Sequence, residues 1–187
     1  MDELFRNQPD AGQESKENLM QLVGFEIGEE LIGVDILSVQ EIIREAPVTA
    51  IPNAPDFIEG VINLRGNIIP VVDLRKRLKF SQKDKPGSGS WIIILSVEGR
   101  MTGFMVDRVT KVLNVPVDSF RPAPDIVVAS LERQYIRGVC KLDRRLLILL
   151  DFDRILMVDE IEKLKSMKRS TRFIQAQQQG LQTTSPA

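Results

Sequence analysis

Two eight-residue stretches, 57–64 and 135–142, decide how this chain folds. The first reads Phe-Ile-Glu-Gly-Val-Ile-Asn-Leu and the second reads Tyr-Ile-Arg-Gly-Val-Cys-Lys-Leu. With Phe57 placed over Tyr135 they align without a gap, and Gly60 falls over Gly138. Chance similarity between two β-rich segments is the alternative explanation. Because glycine matches glycine and apolar positions match apolar positions, we favour an internal duplication.

The alignment extends outward from this pair of stretches. At the same spacing, residues 68–78 lie over residues 146–156, and Asp73 falls on Asp151. Upstream of these stretches, equivalent residues of the two copies are separated by fewer residues. The connection that precedes residues 135–142 must therefore be longer than the one that precedes residues 57–64, and it contains a Pro-rich segment at 121–124. The upstream alignment places Gly33, Val39, Ile42 and Ile43 over Gly103, Val109, Val112 and Leu113.

Each copy has the pattern of a short β meander. Residues 22–36 and 91–106 both read as strand, tight turn and strand, and residues 61–72 form a further hairpin around Arg65 and Gly66. The apolar phase slips near Leu37, which predicts a bulge or a short turn there.

Two smaller features refine this pattern. Pro70 cannot donate to a ladder, so we expect a sheet edge or a bulge at that position. Asp73 and Asp151 each precede a stretch with the character of one or two helical turns and are expected to cap it.

Two small closed antiparallel barrels in tandem explain these patterns, because closure removes the exposed edges of very apolar strands. The fold class is therefore mainly all-β, with short helices and flexible termini. We predict a flexible arm over residues 1–18, a folded body over 19–157, and a short helix with a polar, Gln-rich tail over 158–187. The polar stretch 81–90 divides the body into halves of about 19–80 and 91–157, between which strands could be exchanged.

Composition excludes several classes of function. The chain of 187 residues contains no histidine, which rules out serine triads, Cys-His dyads and histidine metal sites. Its one cysteine, Cys140, has no intrachain partner and no histidine to activate it. Cys140 is therefore a poor nucleophile candidate, and we expect no metal site and no cofactor.

Net charge and hydropathy indicate where the protein works. Lys and Arg number 25 against 26 Asp and Glu, a net charge of −1, which argues against coating nucleic acid or an anionic membrane. The first residues do not resemble a secretory signal, and no apolar run approaches the ~20 residues of a membrane span. A cytoplasmic protein without direct membrane insertion is expected.

Two alternative functions stay open at this point. A pair of small barrels could hold a ligand or single-stranded nucleic acid, although aromatic residues make up only 5% of the chain. An enzyme using carboxylates alone is the other, but Asp73 and Asp151 occupy matching places in both copies, where structural caps are more common.

Arg65 stands out, because it lies on a tight turn between two very apolar strands. The second copy carries Asp143 and Arg144 at this turn, so the repeat does not require an Arg-Gly pair. An ordinary solvated turn is one interpretation. The other is that Glu41 and Arg65 pair beside a groove for a partner, since arginine is favoured where oriented hydrogen bonding matters.

These residues resemble the CheW family of bacterial chemotaxis coupling proteins over about residues 22–156. The most specific segment is Asn63-Leu64-Arg65-Gly66 followed by Pro70-Val71-Val72-Asp73-Leu74. Further matching segments are Val34–Ile36, Val39–Ile42, Phe57–Asn63, Phe104–Asp107, Arg121–Pro124 and Tyr135–Gly138.

The resemblance implies two five-stranded SH3-like barrels and a non-catalytic adaptor, a monomer when free. Its implied partners are the cytoplasmic tips of chemoreceptors and the regulatory domain of the histidine kinase CheA. By residue matching, the receptor surface would include Val39, Glu41, Ile42 and Arg65. Val106 and Val109 would contribute to kinase contact and to the receptor groove, and Gly60, Gly66 and Gly138 would keep backbone turns open. Which receptors or pathway the chain serves is not implied.

Overall fold

The residues that the structure describes form ten strands arranged in two five-stranded sheets. The computed structural model describes residues 18–44, 46–80, 90–125, 131 and 133–156. Most of the predicted arm at 1–18, the polar stretch at 81–89 and the predicted tail at 158–187 lie outside the described residues. The strands are β1 Leu19–Ile27, β2 Glu30–Asp35, β3 Val39–Arg44, β4 Ile58–Leu64, β5 Asn67–Asp73, β6 Trp91–Val97, β7 Arg100–Val106, β8 Arg108–Pro116, β9 Ile136–Leu142 and β10 Arg145–Leu150.

Each sheet takes strands from both sequence halves. One sheet, barrel A, has the order β8-β1-β2-β10-β9, and the other, barrel B, has the order β3-β6-β7-β5-β4. The two barrels therefore do not coincide with the halves 19–80 and 91–157, because the hairpins β1–β2 and β6–β7 are exchanged. The exchange lets each hairpin complete the sheet of the other copy. It joins the two barrels through the chain itself as well as through packing.

The registers of the two sheets match position by position. In barrel B, Val39 pairs with Leu95, and in barrel A, Val109 pairs with Phe25. In the upstream alignment of the two copies, Val39 corresponds to Val109 and Phe25 corresponds to Leu95. One pair in each sheet, β5–β7 and β2–β10, is parallel. No tight turn sets strand direction there, because the two hairpins that meet come from different copies. This two-fold match is what a duplicated sequence predicts.

A single bridge closes each barrel. In barrel B, Thr49 exchanges backbone hydrogen bonds of 2.8 and 2.9 Å with Val61 of β4. In barrel A, Arg121 exchanges bonds of 2.8 and 2.9 Å with Val139 of β9. The segments after β3 and β8 therefore satisfy edge groups of β4 and β9 that would otherwise be exposed.

Apolar residues form three clusters, one inside each barrel and a larger one between them. Alternation along the strands sends one set of side chains into the barrel and the other set between the barrels. The central cluster contains residues of both barrels, among them Phe25, Ile32, Phe104, Leu150 and Phe152. The interior of barrel A contains Leu22, Leu31, Leu113, Val115, Cys140, Leu147 and Leu149, and that of barrel B contains Ile62, Ile69, Val71, Ile92 and Ile94.

The predicted local features have mixed outcomes. The helices α1 (Leu74–Arg77) and α2 (Phe152–Ile155) are capped by Asp73 and Asp151, as expected. The phase slip near Leu37 is a 3-10 turn, Ile36–Ser38. The prediction of a sheet edge at Pro70 is wrong, because β5 is an inner strand. The register shift of the β4–β5 ladder falls in β4, between Ile58 and Gly60, next to Val61, which pairs with Pro70. Pairing of β5 with β7 begins at Val71, so the missing N–H disrupts no bond between those strands.

Candidate functional site

An exposed ion pair joins β3 to the turn between β4 and β5. Arg65 Nη2 donates to Glu41 Oε1 at 3.0 Å. The Arg65 side chain is 79% exposed and the Glu41 side chain 27%. The pairing considered from sequence is therefore present, although exposed pairs of this kind contribute little to stability. What the pair provides is a fixed arrangement of opposite charges on the surface.

Backbone geometry presents Arg65 at the tip of its turn. Arg65 and Gly66 have φ angles of 52° and 85°, both in the left-handed region. Positive φ at both central residues is typical of a type I′ turn, which matches the twist of a hairpin. Asn63 Oδ1 accepts the Gly66 N–H at 2.8 Å and stabilises the turn. The guanidinium is thus held away from the sheet and close to β3.

A register shift in β3 turns two of its apolar side chains toward the central cluster. Val39 and Ile42 are partly buried and both pack against the central cluster. Strict alternation would put residues three apart on opposite faces, but the shift between Val39 and Glu41 brings them to the same cluster. The structure therefore places Val39, Glu41 and Ile42 on one edge strand and joins Arg65 to that strand through Glu41. We call these four residues the β3 surface. Their role in binding a receptor stays a prediction.

Val106 and Val109 lie in different environments. Val106 is 2% exposed and belongs to the central cluster, so it offers almost no area to a partner in this conformation. Val109, in β8, is partly buried and packs against the same cluster. A direct kinase contact is accordingly a prediction only for Val109, and Val106 is better placed to support the strand.

The three predicted structural glycines have unequal roles. Gly60 has φ 148°, and a Cβ there would lie 2.1 Å from the carbonyl oxygen of Thr49, in the bridge that closes barrel B. Gly66 has a positive φ but open space around it. A Cβ at Gly138 would meet Arg121 O at 3.4 Å, an ordinary contact. Only Gly60 combines strain with a clash.

Sequence reasoning missed a network of charged residues at the other barrel. Glu26, whose side chain is 7% exposed, accepts hydrogen bonds from Arg108 and Arg145. Burial raises the pKa of Glu26, but the hydrogen bonds and positive charges of Arg145 and Arg108 outweigh it and hold the pKa below its usual value of 4.5. The carboxylate links β1 to β8 and β10, which come from the other copy. The signal available in the sequence was a glutamate within an otherwise apolar strand.

A second missed contact lies nearby. Asp107 pairs with Arg75 of α1 and accepts the Gly28 N–H at 2.6 Å. The contact joins the β1–β2 hairpin to the end of β7, so it also ties the two barrels together. In the same barrel as Glu26, burial raises the pKa of the Cys140 thiol, which favours its protonated form.

Two kinds of feature are absent from the described residues. They contain no group of three or more Cys, Asp or Glu placed to hold a metal ion. None of the helices described has the length and apolar character needed to cross a bilayer.

Comparison with known proteins identifies the family. A family model described as a CheW-like domain matches residues 21–160. The chemotaxis protein CheW of Klebsiella aerogenes is 40% identical over 147 residues, covering 78% of this chain and 87% of that protein. The CheW protein of Treponema pallidum is 35% identical over 150 residues, covering 79% and 88% of the two chains.

A solved structure agrees with the fold. The crystal structure of the scaffolding protein TtCheW from Thermoanaerobacter tengcongensis superposes with a TM-score of 0.69 at 36% identity. The match covers 76% of this chain and 95% of that one. The two-barrel fold expected from the sequence is confirmed.

Proposed function

The chain belongs to the CheW-like family and is a chemotaxis adaptor, and we propose that it couples chemoreceptor tips to the regulatory domain of CheA through two separate surfaces. The family match supports receptor and kinase partners in general. The alternative of an unrelated ligand-binding or nucleic-acid-binding barrel is not favoured by any of these comparisons.

The observation that carries the receptor half of the proposal is the β3 surface. It carries an exposed ion pair on an edge strand that also holds two partly buried apolar side chains, which rest on the central cluster. An exposed strand with apolar side chains and oriented charges is suited to a protein partner, because the apolar side chains supply affinity and the charges fix orientation. The cytoplasmic receptor tip is the partner that family membership suggests for it.

The kinase half of the proposal uses barrel A, with Val109 as its candidate contact. Binding both partners at once raises their local concentration, which needs no new bond and no catalytic residue. We propose that the free protein is a cytoplasmic monomer that is recruited to membrane-associated receptor arrays by these contacts.

Proximity alone does not transmit the state of the receptor. A ligand shifts an equilibrium only when its free energy of binding differs between the two states. The proposal therefore requires that the receptor contact differ between the kinase-on and kinase-off assemblies. Glu41 and Arg65 are the candidates, since a small displacement between the partners would change how their charges are met.

Calorimetry with purified partners tests the proposal. The protein is titrated with a CheA regulatory domain, and a chemoreceptor cytoplasmic hairpin encoded by the same genome is then added to the complex. We expect saturable binding of each partner and a ternary complex of all three. Binding of the second partner only by displacement of the first would refute two separate surfaces, and failure of every cognate receptor and kinase to bind would refute the adaptor role.

A further inference from the structure

Leu37 is the most exposed large apolar residue among those the structure describes, with 86% of its surface accessible. It is the middle residue of the Ile36–Ser38 turn, which leads directly into β3. A single exposed leucine needs no explanation by itself. The rigidity and the position of this one distinguish it.

The turn holds Leu37 outward. Asp35 Oδ1 accepts the Leu37 N–H at 2.9 Å, and the Val39 N–H donates to the Ile36 carbonyl. The residues on either side of the turn's tip, Ile36 and Val39, pack against the central cluster. The backbone of the turn is therefore fixed on both sides of Leu37, whose side chain stands exposed for a contact from outside.

The second copy shows that the fold does not need leucine here. In the upstream alignment of the two copies, the equivalent position is Asp107. Asp107 pairs with Arg75 and accepts the Gly28 N–H. The same place in the repeat can thus carry a charged residue with internal partners. In the first copy it carries an apolar residue that lies exposed.

We propose that Leu37 is an apolar anchor of the receptor-binding surface and inserts between the two helices of the receptor's cytoplasmic hairpin. This inference rests on the proposed function of the β3 surface, two residues away. The turn contacts both β1 of barrel A and β6 of barrel B, so Leu37 lies where the barrels meet. A partner bound at the β3 surface would extend over Leu37, and burying an apolar side chain there would add to its affinity.

The test compares three substitutions at this position by titration calorimetry with a receptor cytoplasmic hairpin. Leu37→Ala is expected to weaken binding about tenfold, because it removes most of the apolar side chain that the receptor would bury. Leu37→Asp, which copies the residue of the second copy, is expected to weaken it at least a hundredfold. Leu37→Met, the matched control, keeps the apolar volume and should stay within about threefold of the wild type.

Binding of the CheA regulatory domain is measured with the same variants and should not change, which also shows that they are folded. If the wild type binds the hairpin and Leu37→Asp binds it equally well, the anchor is refuted and the β3 surface is not. If the wild type binds no cognate hairpin, the proposed receptor role fails and the anchor fails with it. Equal weakening of hairpin and kinase binding would also refute the anchor, because it would indicate a general structural effect.

Discussion

Barrels A and B have matching backbones and opposite charges at corresponding places. Glu41 and Arg65 of barrel B correspond to Lys111 and Asp143 of barrel A, and Arg65 and Asp143 share a φ of 52°. The two apolar positions of the β3 surface keep their character, because Val39 and Ile42 correspond to Val109 and Val112. The duplication has therefore preserved strand register and turn geometry while the exposed charges have diverged. Two surfaces of one shape and different charge suit an adaptor that must distinguish two partners.

The barrels also differ in what ties them internally. Glu26 of barrel A binds two arginines, whereas the matching residue of barrel B is Ser96, which is exposed. In barrel B the closest packing is instead at the closing bridge, where Gly60 lies against the backbone of Thr49. The two copies therefore stabilise similar folds through different local interactions. Equivalent substitutions in the two barrels should have unequal effects on stability.

The largest expected difference is between Gly60→Ala and Gly138→Ala. In Gly60→Ala the new Cβ would lie 2.1 Å from Thr49 O at a φ of 148°, so the bridge must open. We expect a loss of about 3 kcal/mol or more in the free energy of unfolding, from strain and clash together. Gly138→Ala should cost less than about 1 kcal/mol, since its contacts are of ordinary length.

Urea unfolding followed by circular dichroism measures both variants. If Gly60→Ala does not fold, the prediction is met in its extreme form, and Gly138→Ala serves as the folded partner. Equal unfolding midpoints for the two variants would show that barrel closure does not depend on this glycine.

A smaller effect is expected for Glu26→Gln, which removes the charge that Arg108 and Arg145 share. We expect a loss of about 2 kcal/mol at pH 7, typical of hydrogen bonds to a charged group. The pKa of Glu26 is lowered in the folded state, so its contribution is present above 4.5 and is lost as pH falls through the folded value. The wild type should therefore lose its advantage over Glu26→Gln on acidification.

Thermal unfolding at a series of pH values checks this prediction. The control is Glu59→Gln, which removes a half-exposed pair with Lys76 and should cost less than about 1 kcal/mol. A constant difference between the wild type and Glu26→Gln from pH 7 to pH 3 would contradict the assignment.

Much of the fold could be predicted from the sequence, because the repeat carries its own alignment. The hairpins, the caps at Asp73 and Asp151 and the turn near Leu37 follow from local patterns of apolar residues and capping side chains. The assignment of hairpins to barrels could not be predicted. Exchange changes which strands pair over long distances and leaves each strand's own pattern unaltered.

The candidate site, too, could be predicted only in part. The pairing of Glu41 with Arg65 could be suggested because both are charged residues in otherwise apolar segments. The burial of Val106 could not, since its phase in β7 depends on the cluster between the barrels. Pro70 was misplaced because the sequence does not show where the parallel pairing of β5 begins. The outward position of Leu37 likewise depends on neighbours that pack across the barrels.

Arg65→Ala has the smallest expected effect on stability and tests the central claim most directly. The ion pair is exposed, so the free energy of unfolding should change by about 0.5 kcal/mol or less. The matched control is Arg133→Ala, which removes another exposed ion pair, with Asp125, in the connection between β8 and β9 of barrel A.

The measurement is receptor-dependent CheA activity in an array reconstituted from receptor, kinase and this protein. Our account predicts that Arg65→Ala lowers the response of the kinase to receptor ligand at least fivefold, while Arg133→Ala responds like the wild type. Unchanged control of the kinase by Arg65→Ala would contradict the claim that the β3 surface transmits the state of the receptor.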